Sequence, residues 1–407
     1  MAAMVLKILI ASGTDWPFPA RLAHAFTSLG ARVEGLCLKT SPLHVSSVPA
    51  RLHRFSALRP THSLAEAIAK AKPDLFIPCD DLMAELAWRL AQADPSFAVL
   101  INHSSGNNAA FPILSARNDF LREAKAAGAP AADTIALEKP ADLDRALEQF
   151  GLPLVLKADG SWGGAGVAIA RDAAQARAAL HRFAHPSRLR LAIQAIKRGD
   201  PSRLVRALMP LSPRPGAQRF VAGHPATSAI ACWRGKLLAA HHFDVTVASA
   251  EDGTGPATVV TRTACAAMAD SAATIAARFA LSGLYGLDYM RDQGGKVFLL
   301  EINPRATPTS HLALGMGHDL VAALLTAAGQ PTPDRPAVTD KNRIALFPQE
   351  MGRDPASPHL TAGYHDLPLG DPSLLTALSG SRQTLTSFSP AFSGLSGSER
   401  TPNPARR

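Results

Sequence analysis

The sequence predicts an α/β protein that begins with a parallel-sheet domain. Three observations carry that expectation. Short apolar runs alternate with helical segments through residues 1–110. A strand, a glycine-rich loop and a second strand follow within residues 153–170. Late in the chain, a hairpin sets two carboxylates opposite each other.

Taken in order, residues 6–11, 32–38, 74–78 and 98–101 read as short buried strands, and residues 18–29, 63–71 and 81–93 as the helices between them. Such alternation implies a parallel sheet with helices on both faces. The first strand leads into Ser12-Gly13-Thr14-Asp15, which lacks the GxGxxG spacing of a dinucleotide site. The turn Pro78-Cys79-Asp80-Asp81 falls at a strand end, where sheets of this kind bind ligands. Asp80 is equally placed to cap the next helix.

Further on, helices are expected over 115–127, stopped by Gly128 and Pro130, and over 141–150. Strands follow at 189–196, 218–221, 227–233 and 237–244, then a long helix at 264–282. After the hairpin a helix is expected at 311–328, with a Pro-rich connector at 330–338. Residues 379–407 are rich in Ser, Pro and Gly, bury too little apolar surface to offset ordering entropy, and are expected to be disordered. No internal repeat and no heptad run is present.

The 407 residues are 47% hydrophobic and 18% charged, enough for two or three domains with sizeable cores. Cys37, Cys79, Cys232 and Cys265 are far apart and form no CxxC pair, so neither a zinc nor a redox motif is visible. Reduced thiols and the lack of a signal-peptide pattern point to the cytoplasm, and no apolar run is long enough to span a membrane. A net charge of +9 permits nucleic-acid binding. The arginines are scattered, however, without a zinc finger or aromatic RNA-binding motif, so no specific nucleic-acid partner is expected.

The hairpin spans residues 283–305, with apolar runs on either side of Gln293-Gly294-Gly295-Lys296. A Gly-Gly pair suits a two-residue turn because both central positions can take φ > 0. With Gln293 paired to Lys296, Asp288 lies opposite Glu301, and Asn303 shares its face. Two carboxylates at that separation need a shared proton or a cation. Oxygen donors of this kind suit Mg²⁺ or Mn²⁺. An amphipathic hairpin with an acidic outer face is the alternative, and a one-residue slip in register would part the carboxylates.

Lys157 ends the strand before ADGSWGGAG. Gly160, Gly163, Gly164 and Gly166, with Ser161 among them, leave backbone N–H groups able to approach phosphate oxygens, and the lysine adds a mobile positive charge. No GK[ST] follows, so this is not a Walker A loop. The loop leads to a strand rather than a helix, so it is not a Rossmann fingerprint. A plain glycine-rich hairpin remains the other reading of the segment alone.

Together the lysine loop and the acidic hairpin resemble the ATP-grasp superfamily over roughly residues 110–325. Pro153-Leu154-Val155-Leu156-Lys157 and its loop are similar to that family's strand lysine and phosphate lid. Asp288, Glu301 and Asn303 match its metal triad, within the signature Glu301-Ile302-Asn303-Pro304-Arg305. Arg117 stands where the family has an earlier basic residue, before a helix ending at Gly128-Ala129-Pro130.

The resemblance implies an N-terminal parallel-sheet domain (1–110) followed by two α+β subdomains that clasp ATP (111–217 with the lid, 218–330 with the metal hairpin), then an extension (331–378). Gln218-Arg219-Phe220-Val221 looks like the strand beside the adenine. His224-Pro225 replace the family's acidic ribose partner, which puts ribose recognition in doubt. The implied reaction is ATP-dependent activation of a carboxylate as an acyl phosphate, with Mg²⁺ or Mn²⁺ on Asp288, Glu301 and Asn303, and attack by an amine. Arg305 would bind the carboxylate, and Arg262 either does likewise or forms a structural salt bridge. His311 and His318 would border the acceptor site or serve the fold, and Trp162 would close the lid or pack. A phosphotransferase and a non-catalytic nucleotide-binding protein are the alternatives. The partners implied are a small carboxylate and an amine. A homodimer is compatible with the sequence but does not follow from it.

Overall fold

A computed structural model describes residues 5–159, 166–185, 214–250 and 255–379, together with Ile193 and Val205. The strand expected at 189–196 lies outside these residues except for Ile193, and so do Trp162 and the expected disordered tail beyond Ser379. Among the described residues the strands form three sheets.

The first sheet is parallel, in the order β3-β2-β1-β4, with β1 Lys7–Ala11, β2 Arg32–Cys37, β3 Arg51–Arg54 and β4 Leu75–Pro78. Ile8, Leu9 and Ile10 are fully buried because helices cover both faces. The edge strand β3 has only four residues and no apolar run to announce it. Residues 98–101, expected as a strand, lie instead within the helix Pro95–Ser105. Asp94 caps that helix by accepting from the Ser96 N–H at 2.9 Å, and Pro95 occupies its first turn. A four-residue apolar run does not by itself distinguish strand from helix. Asp80 caps the helix Asp81–Ala93, accepting from the Met83 N–H (2.9 Å) while also accepting from the Gly13 N–H (2.6 Å) and the Ser12 hydroxyl (3.0 Å).

A small antiparallel sheet runs β5-β8-β6-β7, with β5 Thr134–Ala136, β6 Leu154–Ala158, β7 Val167–Ala170 and β8 Pro215–Arg219. Leu154, Leu156, Ala170 and Ala217 turn into a core closed by the helices Pro140–Phe150 and Ala173–Ala184. The alternate positions Val155, Lys157, Val167, Ile169 and Gln218 line a cavity. This is the period-2 consequence of strand geometry.

The largest sheet runs β13-β12-β9-β10-β11-β14-β15, with β9 Gly223–Trp233, β10 Lys236–Ala248, β11 Ala257–Arg262, β12 Gly283–Asp292, β13 Val297–Asn303, β14 Arg343–Ala345 and β15 Tyr364–His365. The β12–β13 hairpin departs from its expected form at the turn. Its loop holds three residues, Gln293 to Gly295, with the Gly295 N–H donating to the Asp292 carbonyl at 2.9 Å and Gly295 at φ +80°. That shifts the register at the tip, where Arg291 faces Val297. A bulge at Leu300 then takes up the extra residue and restores the expected pairs Asp288–Glu301 and Gly286–Asn303. Two departures cancel at the carboxylates.

Residues 331–378 contribute β14 and β15 to this sheet and return to the first domain, where Asp366 meets Arg21 and Asp371 meets Ser46. The helix expected at 311–328 is confined to Leu320–Ala327. Gly315 and Gly317 take φ values of +98° and +73°, which no helix allows, and Asp319 caps the shorter helix.

His241 on β10 is buried, with Nε2 2.8 Å from the His318 carbonyl oxygen and Nδ1 3.3 Å from that of Thr309. Burial pushes its pKa down from 6.5 to about 4, and burial does the same to His242. The fold therefore favours neutral rings. This contribution is fully present above pH 6.5 and fades as pH falls from there toward 4. Urea unfolding at pH 7 and pH 5 should differ by about 2 kcal/mol for each such histidine, with His241→Gln flattening the slope. Equal stability at both pH values would contradict it.

Candidate active site

A cavity of about 960 Å³ opens between the small sheet and the β9–β12–β13 face of the large one. It extends to the first domain at Trp16 and Asp81 and to the C-terminal segment at Gln349 and Arg353. One wall is apolar, formed by Val155, Ile169, Phe220, Val221 and Leu300. Arg117, Lys157, Asp288, Glu301, Asn303 and Arg305 form a charged cluster in the same lining.

Asp288 and Glu301 face each other across β12 and β13. The Asn303 Nδ2 donates to Asp288 Oδ2 at 2.9 Å. Arg117, at the start of the helix Arg117–Ala126, donates from Nε to Glu301 Oε2 at 2.7 Å and from NH1 to the Ala158 carbonyl at 2.9 Å. Its own N–H donates to Asp159 Oδ1 at 3.1 Å. Lys157 Nζ lies 4.0 Å from Glu301 Oε2. Residues far apart in sequence thus meet on one carboxylate.

Burial raises the Asp288 pKa, and the Glu301 charge raises it further. Burial works the same way on Glu301, but Arg117 and then Lys157 outweigh it and hold that carboxyl ionised. Burial lowers the Lys157 pKa against the pull of Glu301. Asp159, beside Arg117, is pushed up to about 6 by burial.

Arg305 is gripped on several sides. Its Nε donates to Asp81 Oδ1 at 3.0 Å and its NH2 to Asn303 Oδ1 at 3.1 Å, while its guanidinium lies 5.6 Å from the Trp16 ring centre. Burial opposes its charge, but Asp81 and the neighbouring acids more than offset this and raise its pKa. Asp81 belongs to the strand-end turn expected to face a ligand, whereas no sequence signal points to Trp16.

Among the described residues no group of three or more His, Cys, Asp or Glu side chains is placed to hold a metal ion. Asp288, Glu301 and the amide oxygen of Asn303 form a smaller, all-oxygen set. Such a set fits Mg²⁺ or Mn²⁺, which complete their coordination with phosphate oxygens and water.

The other expected positions are dispersed. Gln218 and Arg219 end β8, and Phe220 and Val221 follow it as the link to β9. All four line the cavity. The chain passes very close here, since a Cβ on Gly223 would lie 2.0 Å from the Arg291 carbonyl oxygen. Pro225 lines the cavity as well. Gly160, Ser161, Gly163 and Gly164 lie outside the described residues, whereas the Gly166 carbonyl accepts from the Ala158 N–H at 2.9 Å.

Arg262 is not brought to the cavity. It sits at the far end of β11, two residues beyond the lining residue Val260, and donates to the Leu314 carbonyl at 3.4 Å. His311 turns to Asp366 (2.9 Å) and His318 to the Ala240 carbonyl oxygen (2.8 Å), so neither borders the cavity.

No family model and no curated protein sequence matches the chain. Solved structures do match it. N5-carboxyaminoimidazole synthetase from Staphylococcus aureus, complexed with ADP, is 14% identical with a TM-score of 0.57 over 82% of this chain and 80% of that one. The biotin carboxylase domain of 2-oxoglutarate carboxylase from Hydrogenobacter thermophilus, with MgADP and bicarbonate, is 14% identical with a TM-score of 0.58 over 81% of this chain and 70% of that one. The N5-carboxyaminoimidazole synthase from Aspergillus clavatus, with ADP and 5-aminoimidazole ribonucleotide, is 16% identical with a TM-score of 0.56 over 81% of this chain and 78% of that one. At these identities the likeness shows the fold, which is the ATP-grasp fold.

Proposed function

We propose that the chain is an ATP-dependent ligase that activates a carboxylate as an acyl phosphate and passes the acyl group to an amine, with release of ADP and phosphate. The observation that carries this reading is the convergence of Arg117 and Lys157 on Glu301, opposite Asp288 and beside Arg305, in a single cavity. In this reading residues 111–330 form the ATP-binding body, with the base against the apolar wall and the phosphates among the charged groups.

Magnesium bound by Asp288, Glu301 and Asn303 would offset charge on the β- and γ-phosphates. Arg117 and Lys157 position the triphosphate, so their contribution is placement and electrostatics. Arg305, its fork fixed by Asp81 and Asn303, orients the substrate carboxylate for attack on the γ-phosphorus. The carboxylate oxygen forms the new P–O bond as the bond to ADP breaks. The amine then adds to the acyl carbon, and phosphate leaves with that carbon–oxygen bond.

No described helix is long and apolar enough to cross a membrane. We place the reaction in the cytoplasm, with small-molecule substrates. Hydroxylamine trapping tests the activity. With MgATP and its carboxylate substrate the protein should form ADP and a hydroxamate. ADP together with a phosphorylated hydroxyl product, and no hydroxamate, would make it a phosphotransferase instead.

A further inference from the structure

Residues Ala345 to Glu350 connect β14 to the short helix Gln349–Arg353. Gln349 and Arg353 both line the cavity. Four residues apart, they share one helical face. Glu350, between them, is fully buried and accepts from the Thr258 hydroxyl (2.7 Å), the Ser357 hydroxyl, and both Nε (2.8 Å) and NH2 of Arg353. This two-point grip fixes the guanidinium and occupies two of its three nitrogens. NH1 keeps two N–H groups with no partner among the described residues. Gln349 Oε1 is likewise a buried acceptor without a donor. A buried polar atom left in that state is costly unless a ligand completes it.

Charge decides what that ligand group is. Glu350 neutralises Arg353, so the pair is a poor trap for a free anion. What it presents is one donor beside one acceptor, with no net charge. The complementary group offers an acceptor and a donor side by side, is itself neutral, and takes no part in the chemistry at Arg305. An amide meets all three conditions.

We propose that Gln349 and Arg353 form a specificity subsite for an amide group on the non-nucleotide substrate, as a peptide bond or primary carboxamide, with Arg353 NH1 donating to its oxygen and its N–H donating to Gln349 Oε1. This rests on the ligase reading only for the identity of the reaction. The subsite itself is testable by binding.

Glycylglycine and 5-aminopentanoic acid have the same backbone length and the same charged ends, and differ only in the amide. L-Glutamine and L-glutamate form a second pair. Ligand-observed NMR titrations on the whole protein, with and without MgADP, should show at least tenfold tighter binding of an amide member over its partner. Gln349→Met removes an acceptor that has no partner among the described residues, so it should leave the melting temperature unchanged and erase the preference. Arg353→Lys keeps a cation on Glu350, removes NH1, and should do the same. Where the amide compound supports turnover, both variants should raise KM with kcat retained. Equal binding within each pair, binding of neither member, or a preference that survives Gln349→Met overturns the subsite. Amide preference in a protein that fails to bind MgATP would overturn the ligase reading and leave the subsite standing.

Discussion

Glu301→Gln is expected to lower MgATP-dependent ADP release by about 10²- to 10³-fold, the range seen when one preorganised electrostatic partner is removed from a buried site. Glu301 serves three neighbours at once. It faces Asp288, with which we propose it holds the metal, accepts from Arg117, and lies 4.0 Å from the Lys157 ammonium. A neutral amide keeps the shape and loses the charge, so two cations that share a carboxylate are left to repel each other. Steady-state ADP release together with an Mg²⁺ titration of ATP binding checks this. An unchanged Mg²⁺ dependence would show that the carboxylate is not a metal donor.

Asp366→Ala should destabilise the fold by about 3–5 kcal/mol, the cost of breaking a buried ion pair from one side. Asp366 is buried, pairs with Arg21 of the first domain, and accepts from His311 Nε2 at 2.9 Å. Burial works against its ionisation, but Arg21 and then His311 prevail and hold the carboxyl below its usual range. Its removal leaves Arg21 buried without this counter-charge, at a point where the helix Phe18–Thr27, the segment after β13 and the C-terminal extension meet. Denaturant unfolding monitored by tryptophan fluorescence measures the loss. A change below about 1 kcal/mol would mean that the three segments are held by apolar packing instead.

What could be read in advance follows how local the signal is. Alternation over five residues sufficed to turn Lys157 and Val155 away from the small core, and Glu301 and Asn303 to a common face. The turn at Gly294-Gly295 is not legible in detail because a pair of glycines serves a two-residue or a three-residue loop equally well. The contact of Arg305 with Asp81 spans 224 residues and that of Arg21 with Asp366 spans 345, so no sequence window contains them. Only its residue type points Arg262 toward the site. Its strand carries it past the cavity, and type without position has no reach.

The bulge at Leu300 has a practical consequence. It lies between the hairpin tip and the carboxylates and absorbs the register change of the tip, so the pairing of Asp288 with Glu301 is anchored below the turn. Gln293 to Lys296 are exposed. A reporter inserted after Gly294 would therefore ride on the same β-ribbon as the charged cluster of the cavity without altering how Asp288 faces Glu301. The tip is a built-in attachment point from which events at the site can be watched.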